Sequence, residues 1–113
     1  MANLSSIYKS SDEKIRAVWE FETSPLFTEA ERSALRLALN GAIVPNQVKD
    51  EDFVEVRKHF DDGEIVELVA TIALFGYLNR WNDTMATVLE EYPKSVAERS
   101  IGPAGWVVGK HTK

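Results

Sequence analysis

The stretch from Ile65 to Leu78 constrains this chain more than any other feature. Ile65, Val66, Leu68, Val69, Ala70, Ile72, Ala73, Leu74, Phe75, Tyr77 and Leu78 are apolar, and the clear polar interruptions are Glu67 and Thr71. Asp61 and Glu64, just before it, have the spacing of a capping box with Asp in the Ser/Thr role, so a helix is expected from about Asp62. Pro93 predicts its end. Such a helix, 62–92, runs for about 30 residues and roughly 45 Å. The apolar run is too short and too interrupted to span a bilayer, which takes ~20 residues. A helix that is apolar all round must be covered all round. Three shorter helices of ~10–14 residues cover about two sides of it, which leaves an apolar patch larger than soluble monomers tolerate. The expectation is a homo-oligomer whose interface uses the helix 62–92.

The other elements read as helices too. Ser10 and Glu13 have capping-box spacing, followed at helical intervals by Ile15, Val18 and Trp19, and Pro25 predicts a stop near Thr23. Thr28 and Glu31 form the clearest helix start, with Ala34, Leu35, Ala38 and Leu39 as its apolar stripe and Asn40-Gly41 as its end. Asp50 is expected to cap a short third helix that buries Phe53, Val56 and Phe60. No segment competes as a strand. The fold class is therefore all-α: a small bundle of about four helices with a long central C-terminal helix. Residues 1–9 read as a loose arm, 10–92 as the helical domain, and 93–113, with Gly102, Pro103, Gly105 and Gly109, as an irregular tail.

Composition narrows the partners. The 113 residues carry a formal net charge of −5 and no cysteine. An acidic balance with scattered Lys and Arg argues against nucleic acid and anionic membranes as main partners. Without cysteine there is no disulfide framework and no thiolate metal site. No apolar leader is visible near the N-terminus, and a cytoplasmic location is the expectation. No phosphate-binding glycine loop, nucleophile elbow, paired-histidine zinc motif or calcium loop is present, so neither a cofactor nor a metal is predicted.

The candidate chemical residues are few. Glu67 shares a helix face with Thr71, and a carboxylate among apolar neighbours calls for a cation, with Arg32, Arg36 and Arg80 in reach. One reading is a structural ion pair between the second and fourth helices; the other is a general base in a pocket. His59 lies near a helix end, where a charged imidazole complements the dipole. His111 falls in the tail and carries little weight. Trp19, Phe27, Phe53, Phe60, Phe75 and Trp81 read as core packing rather than as a cofactor box.

The order of these segments resembles the carboxymuconolactone decarboxylase family, which includes the alkylhydroperoxidase D-like proteins. The resemblance rests on Trp19 with Ser24, Phe27 and Glu31-Arg32-Ser33-Ala34-Leu35, then Val48 to Phe53, Phe60 to Leu68, Ile72-Ala73 and Asn79-Arg80, about residues 10–90. It implies an alkylhydroperoxidase D-like helical bundle assembled as trimers or hexamers. The family's redox members use a Cys-x-x-Cys pair with a nearby His and Glu, before the stretch matched here. This chain begins roughly where that motif ends and has no cysteine, so no redox residue carries over.

Three functions follow as expectations. The first is a degenerate or small-ligand-binding member of the family. The second is a cysteine-independent enzyme, in which Glu67 or His59 moves a proton on a small carboxylate or lactone held by Arg80 or Arg32. The third is a partner subunit of a separate cysteine-bearing chain.

Overall fold

A computed structural model describes residues 11–111. Five α-helices occur among them and no strand: α1 (Asp12–Arg16), α2 (Glu29–Ala42), α3 (Asp50–Arg57), α4 (Asp62–Met85) and α5 (Glu91–Ser100). The all-α expectation holds. The proposed arm 1–9 lies outside the described residues. The chain divides into two compact units, Phe27–Trp81 and the combination of Met1–Leu26 with Asn82–Lys113.

The unit Phe27–Trp81 begins with the cap read from the sequence. Thr28 Oγ1 accepts from Glu31 N at 3.1 Å, and Glu31 Oε1 accepts from Thr28 N at 2.9 Å. This satisfies two of the amide donors that a helix start leaves without intrahelical partners. The same reciprocal pair opens α4, with Glu64 N to Asp61 Oδ1 at 2.8 Å and Asp61 N to Glu64 Oε1 at 3.0 Å. Leu37, Val56 and Ile65, one from each helix, form the buried core; Val48, Phe53, Phe60, Leu68 and Ile72 pack around it. Helix α2 turns its buried side through Ser33 and Leu37, while Leu39, expected in the stripe, is 46% exposed. The reason is period: Ser33 and Leu37 are four apart and share one face, whereas Leu39 lies about 200° round the helix from Leu37. Helix α2 also runs past Asn40-Gly41 to Ala42. Gly41 belongs in the helix because a Cβ there would meet Ile72 Cγ2 at 3.4 Å and Val48 Cγ2 at 3.6 Å.

The start of α3 departs from expectation. Asp50 is exposed at the first helical position, and the cap comes from Asp52. Its Oδ2 accepts from Lys49 N at 2.9 Å and from Asn40 Nδ2 at 3.1 Å, which fastens the end of α2 to the start of α3. Asp52 is buried and both bonds are partly so, and its truncation leaves the two donors without this acceptor. Asp52→Ala is expected to destabilise this unit by about 2 kcal/mol, and Asp52→Asn by clearly less, in urea titrations followed by circular dichroism.

Helix α4 stops at Met85, eight residues before Pro93. Ala86 takes a left-handed conformation, φ 51°, and Thr87 N reaches back to Asn82 O at 3.1 Å. This is a Schellman closure, here with alanine where glycine is usual. The expected tail is largely structured: Pro93 lies in the first turn of α5, where its missing N–H costs nothing. Gly102–Ala104 and Gly109–His111 are 3-10 turns.

In the second unit, Ser11 rather than Ser10 caps α1, its Oγ accepting from Lys14 N at 3.0 Å. Helix α1 then gives way to a 3-10 turn, Val18–Glu20. Among the described residues of this unit Ile15, Phe21, Val96 and Ala97 are the buried apolar ones, while Trp19, expected in the core, is 74% exposed. Ser100 Oγ donates to Asp12 Oδ1 at 3.2 Å and Arg99 Nε lies 3.4 Å from Asp12 Oδ2, which joins α1 to α5. His111 is part of this structure: its Nδ1–H donates to Thr87 O at 2.7 Å, and its main-chain oxygen accepts from Leu89 N at 2.8 Å.

Candidate functional site

Helix α4 carries an extended exposed apolar feature. Ile65, Leu68, Ile72 and Phe75 face its own unit, at least partly buried. Val66, Val69, Ala70, Ala73, Leu74, Tyr77, Leu78 and Trp81 are all exposed. Their spacing of three and four residues makes one continuous stripe on the opposite side. Tyr77 is 63% and Trp81 56% exposed, values far from those of core aromatics. Trp81 was expected in the core; it stands on this stripe instead.

The four candidate chemical residues do not converge. Glu67 and Arg80 border the stripe, 13 residues and about 20 Å apart along the helix. Both are exposed, and among the described residues neither side chain has a hydrogen-bond or ion-pair partner. The ion pair expected between Glu67 and α2 is not formed. Exposure removes its cause, since a hydrated carboxylate needs no cation. Thr71 Oγ1 donates back to the Glu67 main-chain oxygen at 2.8 Å. Arg32 lies on α2, paired with Glu29 one turn earlier. His59 is exposed in the turn after α3.

One titration is perturbed. Lys58 Nζ donates to Glu55 Oε1 at 2.8 Å, and this bond and charge hold the Glu55 carboxyl below the ordinary glutamate value, with Arg36 and His59 adding at longer range. A lowered folded-state pKa means that the pair stabilises above the ordinary value and ceases to do so as pH falls through the folded one. The site is solvent-exposed, so the effect belongs to a surface pair. Lys58→Met is expected to return the Glu55 carboxyl carbon to an ordinary midpoint in an NMR pH titration; an unmoved midpoint contradicts the assignment.

Sequence reasoning gave His111 little weight and did not single out Asp52 from the acidic start of its helix. The Lys49–Asp52 spacing of three is a legible half of a capping box; the bond from Asn40 is not, because it crosses between elements. Among the described residues no group of three or more His, Asp or Glu is placed to hold a metal ion, and no helix is long and apolar enough to cross a membrane.

No family model matches the chain. It is 36% identical over 75 residues to the uncharacterized protein YnjA of Escherichia coli (strain K12), covering 66% of this chain and 41% of that protein. Its fold is similar to the debrominase Bmp8, solved as a cysteine-to-alanine variant with 2,3,4-tribromopyrrole, at TM-score 0.78 and 31% identity, over 86% of this chain and 52% of that one. The apo form of Bmp8 gives the same TM-score, 0.78, over 87% and 53%. The chain thus spans about half the length of the proteins it matches or less. The fold is all-helical and carboxymuconolactone decarboxylase-like.

Proposed function

We propose that this chain is a helical scaffold that assembles with copies of itself and binds a small apolar ligand without thiol chemistry. One observation carries the reading: a backbone similar to a debrominase over 86% of the chain is built from a sequence with no cysteine. The neighbour's complex with 2,3,4-tribromopyrrole suggests the ligand class, a small, flat, halogenated heteroaromatic. Assembly is supported by the apolar stripe of α4, since soluble monomers rarely expose contiguous patches of that kind. With no disulfide framework to require an oxidising compartment, the reading goes with a cytoplasmic location. The acid–base alternative finds less support, because Glu67, Arg80, Arg32 and His59 are dispersed over three segments.

The test is direct. Purified chain is mixed with 2,3,4-tribromopyrrole and a dithiol, bromide is measured, and binding is followed by quenching of the three tryptophans. Saturable quenching without bromide release is expected. Bromide release above buffer overturns the non-thiol reading, and absence of quenching up to the ligand's solubility overturns the ligand class.

A further inference from the structure

The exposed stripe of α4 has an internal symmetry. Its first half is small, with Val66, Ala70 and Ala73 along the centre; its second half is large, with Leu74, Tyr77 and Trp81. Each small residue lies as far before the Ala73–Leu74 peptide as one large residue lies after it. We infer that two copies of this chain pair their α4 helices antiparallel, about a two-fold axis at Ala73–Leu74. The inference rests on the self-assembly proposed above and specifies its geometry.

In that arrangement Val66 of one copy meets Trp81 of the other, Ala70 meets Tyr77, and the Ala73 and Leu74 side chains of both copies gather at the axis. Small faces large on either side of the axis, so the helices keep one separation, in the range of about 8–10 Å for packed helices. Parallel pairing sets Trp81 on Trp81 and Val66 on Val66, which wedges one end apart and leaves the other poorly filled. Glu67 and Arg80 obey the same symmetry but border opposite edges of the stripe, about 140° apart round the helix, so they flank the pair and do not decide its direction. The helix macrodipoles also oppose only in the antiparallel pair. The exposed apolar side chains of the stripe present on the order of 700 Å² per copy, close to the ~800 Å² per partner of a standard interface. The contact is isologous: one patch serves both copies and closes on itself.

The absence of native cysteine makes the test clean, because each introduced thiol is unique. Three variants of this chain suffice, Ala73→Cys, Val66→Cys and Trp81→Cys, each at an exposed position and checked for native circular dichroism. Near the axis, Cβ atoms of residue 73 from the two copies come within disulfide range, about 3.5–4.5 Å. Residue 66 is separated from its own counterpart by 15 residues of helix rise, about 22 Å. Ala73→Cys is therefore expected to oxidise to a covalent dimer on the order of a hundredfold faster than Val66→Cys alone, as millimolar effective concentration against micromolar bulk implies. Val66→Cys mixed with Trp81→Cys is expected to crosslink. If light scattering finds an oligomer but Val66→Cys self-crosslinks as fast as Ala73→Cys, or Ala73→Cys does not crosslink, the antiparallel register is overturned and assembly stands. A monomer at micromolar concentration without crosslinks overturns both.

Discussion

Leu74→Asp is expected to convert the assembled protein to monomers while leaving the fold of each chain nearly untouched. Leu74 is 55% exposed in the single chain, so the substitution removes little from the core, and monomer stability should shift by no more than about 0.5 kcal/mol. In the pair the consequence is different. Two carboxylates then face each other beside the axis, each stripped of water and without a cation. An uncompensated buried charge costs about 3–5 kcal/mol, which corresponds to a dissociation constant raised on the order of 10³-fold. Sedimentation velocity across a dilution series measures it. Unaltered assembly by a well-folded Leu74→Asp chain sinks the α4 interface.

Leu37→Ala is the substitution expected to damage the fold most. Leu37 is 2% exposed and meets Val56 and Ile65 where the three helices of its unit converge. Truncation leaves a cavity in a small core, at a cost of about 3 kcal/mol and a melting temperature lower by roughly 15 °C. Leu39→Ala, two residues along the same helix but 46% exposed, should cost under about 1 kcal/mol. Equal losses by differential scanning calorimetry for the two contradict the orientation assigned to α2. The contrast also separates the two halves of the argument: Leu37→Ala acts on folding, Leu74→Asp on association.

The proposed function follows from a mismatch between scaffold and chemistry. The helical fold is similar to that of a debrominase solved with its ligand as a cysteine variant, whereas this chain has no thiol at any position. A thiol-dependent step has no nucleophile here, while helix packing and an apolar face persist without one. This mismatch is why the proposal above is binding and assembly. Glu67, Arg80, Arg32 and His59 are dispersed, and proton transfer needs donor and acceptor within hydrogen-bond reach, which is why the acid–base alternative ranks below that proposal.

Local rules made much of this protein legible in its sequence. The capping boxes at Thr28–Glu31 and Asp61–Glu64 are each a reciprocal pair within one turn, and both formed as spacing predicts. The apolar run after Asp62 reads as helix, and the absence of cysteine is a matter of composition alone. Tertiary structure decided what depends on partners distant in the chain. It selected Leu37 over Leu39 as the anchor of α2, because burial is set by where α3 and α4 lie and not by apolarity. It drew Asp52 to Asn40 and folded the segment after Pro93 into a helix, since proline in a first turn gives up no hydrogen bond. It also left Glu67 and Trp81 in contact with solvent, because a helix turns one face toward its own core and the core of this unit reaches α4 only on the side of Ile65, Leu68 and Ile72.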